Sequence, residues 1–297
     1  IVADTGRDWA AGSYCAAAMR DAERRTTDPE RRADLKEAFS YFLHEFAALD
    51  PRPRSTILSC LMARLTGLLR SPFRRLFGGD TTLRPEDTFS GAVVVLNLPV
   101  KEFGEVGRVA QVLFKTIWQR AVERRGGGGR PVFLWADEAQ FFVTRHDMLF
   151  QQTARSARAA TVYLTQSVAN FRAALDGGAA DATSVSDSLL GTLQTKVFHA
   201  NACPATNDYA ERLFGRELRY THAVGVADGM HVGVQQTYLP VLPAVNFTTL
   251  KKGGAANGRV VEGYVFQAGR RWRGDDGRHN KNWLLAKFPQ DAGGGPE

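Results

Sequence analysis

The stretch that decides the fold runs Arg130-Pro-Val-Phe-Leu-Trp-Ala-Asp137-Glu138-Ala-Gln140. Val132 to Ala136 is wholly apolar, bounded by glycines 126–129 and Pro131 on one side and by adjacent carboxylates on the other. Such a run predicts a short strand buried on both faces, as inside a parallel sheet. Carboxylates at its carboxyl end stand at the mouth of the sheet, where α/β folds bind ligands. At a phosphate site, the first of two such carboxylates suits a Mg2+ ion and the second suits a water-polarising base. An isolated Asp-Glu pair is more often a solvated acidic turn, so the neighbouring residues decide.

Those neighbours alternate between strand and helix patterns. Ala92 to Leu96 is a β-branched run closed by Pro99, a second buried strand. Residues 105–125 place Val106, Val109, Val112, Leu113, Phe114 and Ile117 at helical spacing, and glycines 126–129 end that helix. Residues 147–158 read as a helix leading to a third apolar run, 160–166. A fourth, 195–200, follows a loop and helix. The alternation predicts an α/β fold with a mainly parallel sheet.

Three chemical features fall in order along this segment. Asp137 and Glu138 end one strand, Arg155 and Arg158 lie on the connection, and Gln166-Ser167 ends the next strand. A right-handed crossover opens both strand ends onto one edge of the sheet. A Gln there can hydrogen-bond both a phosphate oxygen and a water. An Arg can stabilise charge on a transferring phosphoryl group. Taken singly, Gln166 is a polar strand end and Arg155 a surface charge; their order and spacing carry the reading.

The N-terminal part is helical in pattern. Trp9 to Arg25 is Ala-rich, and Asp28-Pro29 fits an N-cap followed by proline at the first helical position. Charges of both signs alternate through 20–37 and cancel, which fits a solvated face. Pro51 and Pro53 are expected to break a helix, with Ser55 capping the next, whose Leu58, Leu61, Met62, Leu65, Leu68 and Leu69 form an apolar stripe. Arg70, Arg74, Arg75 and Arg84 follow with only Asp80 opposed, a segment that could contact phosphates. We expect residues 1–85 to be a helical subdomain and 86–297 an α/β core with a peripheral extension, 223–297. In that extension 223–233 reads as a loop and 263–266 as a peripheral strand; 207–214 is a helix closed by Gly215.

Composition bounds the rest. The 44% apolar and 23% charged content is that of an ordinary globular protein. No apolar run approaches the roughly 20 residues that span a bilayer. The three cysteines and six histidines are scattered without metal-ligand spacing. Net charge +7 and pI ≈ 9.5 permit an anionic partner. The chain begins Ile-Val-Ala-Asp without a Met, so we expect a piece of a longer protein.

These motifs resemble the TraD/TraG family of type IV secretion coupling proteins, hexameric DNA-pumping ATPases akin to FtsK and HerA, over nearly the whole sequence. GAVVVLNLPVKEFGEVGRVAQVLFKTIW fits the family's segment before Walker B, and VFLWADEAQFF resembles Walker B itself. ARSARAATVYLTQS resembles the Arg-to-Gln-Ser stretch, and TKVFHANACPATNDYAERLFG the strand and helix closing the motor core. The resemblance implies a RecA-like P-loop NTPase core with an all-helical subdomain and a site for ATP and Mg2+. It puts Asp137 at the Mg2+ position, Glu138 at the catalytic position, Arg155 at the arginine finger and Gln166 at the nucleotide sensor. It further implies DNA bound through phosphates, with Arg70, Arg74, Arg75 and Arg84 as the contacts. The implied partners are secretion-channel and relaxosome proteins, a homohexameric ring and an anchor in the inner membrane.

Two departures matter. Arg158 stands where the family commonly has Gly, so it and Arg155 could exchange roles. No Gly-x-x-x-x-Gly-Lys-Ser/Thr occurs in the sequence, so the phosphate cradle is expected upstream, and no independent ATP turnover is expected of this chain. A non-catalytic substrate-recruitment module is the alternative. DEAD-like helicases share Asp-Glu-Ala but follow it with a Ser-Ala-Thr strand end, whereas this chain has Leu-Thr-Gln-Ser.

Overall fold

A computed structural model of the chain describes residues 13–176, 182–226, 230–273 and 280–290. It divides into two compact units, 1–81 and 82–297.

The described part of the first unit is helical. Ser13 caps α1 (Tyr14–Arg25) by accepting the Ala16 N–H, and two arginines close its last turn, where the helix dipole favours cations. Asp28 caps α2 (Pro29–Ser40) by accepting the amides of Glu30 and Arg31 at 2.9 and 3.2 Å. A π-helical turn at Tyr41–Glu45 and one helical turn at Phe46–Ala48 follow, with the rings of Tyr41, Phe42 and Phe46 in mutual contact. The preceding helix ends at Ala48, before the prolines as expected, but the next helix, α3 (Pro51–Leu65), opens at Pro51 itself with Asp50 as its N-cap rather than at Ser55. Both prolines fall in its first turn, where an N–H has no intrahelical acceptor to lose. The stripe of α3 and the residues after it, Leu58, Leu61, Met62, Leu65 and Leu69, is exposed. In α4 (Phe73–Phe77), Phe73 is buried and stacks on Phe77. The start expected at Trp9 lies outside the described residues.

In the second unit the run 92–99 forms no strand and joins no sheet among the described residues, contrary to the strand expected at Ala92–Leu96. Val93 and Val95 are 90% and 80% exposed, so the β-branched pattern is present without the neighbours that would bury it. Helix α5 (Val100–Arg125) starts earlier than expected and is kinked at Gly104, whose φ of 55° glycine adopts at low cost. The Gly126 N–H closes its end on Val122 and Glu123. Strand β1 (Val132–Ala136) leads through a turn to α6 (Arg145–Thr153), and β2 (Ala159–Tyr163) follows.

Strands β1 and β2 run parallel with Val132 opposite Ala159 and Ala136 opposite Tyr163. Trp118 and Val122 of α5, Val132, and Phe150, Ala154 and Ala157 of the α6 region form one core. Helices α7 (Val168–Asp176) and α8 (Ala182–Thr192) supply Phe171, Leu175 and Leu189 to a second core with Ala136, Ala139 and Val143. The outward residues of β1, Phe133 and Trp135, remain 63% and 68% exposed. Among the described residues nothing covers that face of the parallel pair, although parallel sheets are normally covered on both.

The expectation of a mainly parallel sheet is corrected by the remaining strands. Strand β3 (Thr195–His199) pairs antiparallel with β6 (Val260–Gln267), which pairs antiparallel with β9 (Trp283–Pro289). The strand expected to be peripheral is thus the centre of a three-stranded sheet. Between them come α9 (Pro204–Phe214) and a long hairpin of β4 (Arg216–Val226) and β5 (Met230–Pro240), where a loop was expected. Of the expected loop, 227–229 lies outside the described residues. A short antiparallel pair, β7 (Trp272–Arg273) and β8 (Asn280–Lys281), completes the strands. Phe214, at the end of α9, is ringed by Phe198, Phe247, Tyr264, Phe266 and Trp283. That aromatic cluster anchors the sheet to the helix, since each ring pair contributes beyond its buried area.

Candidate functional site

The parallel register sets the carboxyl ends of β1 and β2 side by side. The Leu164 N–H donates to the Ala136 carbonyl at 2.9 Å, and the Ala139 N–H donates to the Leu164 carbonyl at 2.8 Å. The chain then turns sharply at Glu138, which sits at φ 48°, ψ 48°. A side chain with a Cβ rarely occupies that left-handed region, and it persists only where the surroundings hold it.

The turn aims the Glu138 carboxylate across the strand ends. Its Oε1 accepts Gln166 Nε2 at 2.8 Å, and its Oε2 accepts Gln140 Nε2. Gln140 is held in turn by the Thr165 hydroxyl, which donates to its Oε1 at 2.8 Å. The Gln166 carbonyl accepts Asn201 Nδ2 at 2.7 Å, tying this edge to the loop after β3. The bonds from Gln140 and then Gln166 favour the charged form and hold Glu138 below the usual carboxylate range. Burial opposes them slightly, and Lys101 in the first turn of α5 adds a weaker pull in the same direction. Asp137 is exposed, and its Oδ1 accepts the Glu138 N–H at 2.9 Å.

Asp137, Glu138 and Gln166 therefore meet at one edge of the parallel pair. Arg155 and Arg158 do not join them. Both lie in the turn that precedes β2, and the Arg158 carbonyl accepts the Val132 N–H where β1 begins. They stand at the opposite end of the strands, roughly 16 Å along a five-residue strand from the carboxylates. Both are exposed, and Arg158 has a positive φ of 52°. Arg70, Arg74 and Arg75 are exposed in the first unit, and Arg84 is exposed in the second.

Sequence reading missed Gln140, Thr165 and Asn201. Gln140 was adjacent to the acidic pair and signalled itself only by being polar; Thr165 and Asn201 carried no signal before the strand pairing was known. Among the described residues no group of three or more His, Cys, Asp or Glu forms a metal cluster, and no helix is long and apolar enough to cross a membrane.

The fold of this chain is similar to that of solved bacterial conjugative coupling proteins. Solved structures similar to this chain include those of the plasmid coupling protein TrwB. The chain superposes on a trigonal TrwB form with bound sulphate at a TM-score of 0.55 and 13% identity, over 97% of this chain and 61% of that one. With TrwB in complex with ADP and Mg2+ the values are 0.54 and 14%, over 91% and 57%. With TrwB in complex with the GTP analogue GDPNP they are 0.54 and 11%, over 93% and 58%. The chain thus spans less than two thirds of the length of these TrwB structures. No protein-family profile matches the sequence, and no curated protein matches it.

Proposed function

We propose that this chain is part of a ring-forming coupling ATPase of the TraD/TraG type, which moves DNA or nucleoprotein to a type IV secretion channel. The observation that carries the reading is the Glu138–Gln166 hydrogen bond at the carboxyl edge of β1 and β2, within a fold shared with TrwB. TrwB's complexes with a GTP analogue and with ADP and Mg2+ support a nucleotide and Mg2+ here, with ATP as the fuel.

Asp137 fits a Mg2+ ion. Its Oδ1 is engaged by a backbone amide, and among the described residues its Oδ2 accepts nothing. Mg2+ commonly takes one or two carboxylate oxygens and completes its shell with phosphate and water. When bound with nucleotide, it would neutralise charge on the phosphates.

Glu138, kept ionised by its two glutamines, orients and polarises the attacking water. Gln166 reads the nucleotide: when its amide turns to a phosphate oxygen it gives up Glu138, whose carboxylate then becomes more basic. Arg155 lies at the end of the strands opposite its own Glu138 and serves the nucleotide of the neighbouring subunit. DNA is held through its phosphates, with Arg70, Arg74, Arg75 and Arg84 as contacts. Secretion-channel and relaxosome proteins are the partners, and the complete protein is a hexamer anchored in the inner membrane.

The test is Glu138→Gln in the complete protein, with hydrolysis and nucleotide affinity measured separately. Hydrolysis is expected to be lost with affinity retained, because the carboxylate acts on water and not on phosphate binding. Undiminished turnover would remove Glu138 from the chemistry and favour a substrate-recruitment module.

A further inference from the structure

The second unit holds one buried ion pair, Lys115 of α5 with Asp147 of α6, among its described residues, and the hydrolytic site does not use it directly. Asp147 is completely buried and Lys115 is 5% exposed. Five donors converge on the Asp147 carboxylate. Its Oδ1 accepts the Tyr163 hydroxyl and Gln119 Nε2, each at 2.8 Å. Its Oδ2 accepts Lys115 Nζ, the Thr144 N–H at 2.7 Å and the Thr144 hydroxyl at 2.9 Å. Lys115 Nζ also donates to the Phe142 carbonyl at 2.6 Å.

The origin of these partners is informative. Phe142 and Thr144 belong to the turn that leaves Glu138, and Tyr163 ends β2 just before Leu164, Thr165 and Gln166. One carboxylate thus clamps the segment after the base to the strand that carries its glutamine, and α5 backs the clamp from behind. Stability alone does not account for such an arrangement. Buried ion pairs usually add little over well-packed apolar residues, whereas they do fix one arrangement against its alternatives. The strained backbone of Glu138 needs such over-determination.

We propose that Asp147, Lys115 and Tyr163 act as positioning residues that hold the Glu138 turn and the end of β2 in the register where Glu138 and Gln166 meet. The clamp stands on its own geometry, while its effect on hydrolysis rests on the function proposed above. Two conservative variants each weaken one arm and leave the ion pair in place. Tyr163→Phe frees the end of β2, and Thr144→Val removes one of the two donors from the turn.

Both variants are to be made in the complete protein and followed by hydrogen exchange and by hydrolysis. Exchange in residues 137–144 and 164–167 is expected to speed up by about tenfold, with residues 118–125 of α5 unchanged, because the release is local. The turnover number should fall by tenfold or more, since a displacement of about 1 Å at a reacting group costs up to about 100-fold. The KM for nucleotide should stay within about twofold, because the clamp touches no phosphate-binding group. Unchanged exchange at 137–144 in both folded variants overturns the proposal. So does faster exchange with undiminished turnover. A complete wild-type protein that hydrolyses nothing would sink the function instead, and exchange alone would then decide the clamp.

Discussion

Gln166 Nε2 reaches Glu138 Oε1 at 2.8 Å across two parallel strands whose sequence positions differ by 28. The contact makes the acidity of one residue depend on the other. Glu138 is held below the usual carboxylate range by Gln140 and then by Gln166. Gln166→Leu removes the second of these bonds, so the Glu138 carboxyl should titrate at higher pH. A general base works ionised, so the acid limb of the kcat/KM profile of the complete protein should move upward. A limb that stays in place in Gln166→Leu would mean that Glu138 is not the group being titrated.

The clamp behind the site gives a stability prediction with a defined sign. Burial alone would push Asp147 up, but Lys115 and the hydrogen bonds from Lys115, Gln119 and Tyr163 outweigh it and hold the carboxyl down. A depressed folded value stabilises above the unfolded value of ~3.9 and is lost as pH falls through the folded one. Lys115→Met removes the cation, and burial then dominates and raises Asp147. The variant should lose about 3–5 kcal/mol at neutral pH, the usual result of leaving a buried charge unpaired. That deficit should shrink as the pH is lowered and Asp147 takes up a proton. Denaturant unfolding at several pH values measures it, and a deficit independent of pH would show that Asp147 takes up no more protons in the folded variant than in the folded wild type, so that Lys115 is not what holds it down.

The meeting of Asp137, Glu138 and Gln166 at one strand edge was legible in the sequence because it is local. The apolar run 132–136 ends at the two carboxylates, so strand and chemistry are read together, and the run that leads to Gln166 is read the same way. What depends on distant partners was not legible. Lys115 and Asp147 are 32 positions apart and look like ordinary surface charges until α5 packs on α6. The 92–96 run has strand composition, but a strand exists only where an edge receives it, and among the described residues none does. The hairpin was obscured by Gly225, Gly229 and Gly233, which read as a loop. The pairing of Leu218 with Tyr238 and of Tyr220 with Gln236 continues through Gly225 and Gly233.

DNA binding through phosphates predicts a salt dependence. Each phosphate neutralised releases counterions, so the logarithm of affinity should fall linearly with the logarithm of salt, by about 0.9 per contact on duplex DNA. Replacing Arg74 or Arg75, both exposed, should lower that slope by about one each and weaken all sequences alike. Affinity that is indifferent to salt, or confined to one short site, contradicts a translocating role.

The placement of Arg155 yields the sharpest test of the ring. It lies in the turn before β2, at the end of the strands opposite Glu138, so within one subunit it cannot touch the phosphate that Glu138 serves. If Arg155 serves the proposed hydrolysis, it does so across a subunit boundary, where such a group is worth about 10³-fold or more in rate. Arg155→Ala subunits and Glu138→Gln subunits should therefore each form nearly inactive rings. In mixed rings an Arg155→Ala subunit keeps its Glu138, and a neighbouring Glu138→Gln subunit supplies the intact Arg155. Activity should return in proportion to the number of such interfaces. Rings shown to be mixed that recover nothing would take Arg155 out of the chemistry, and the same experiment on Arg158 would then show which of the two arginines crosses the boundary.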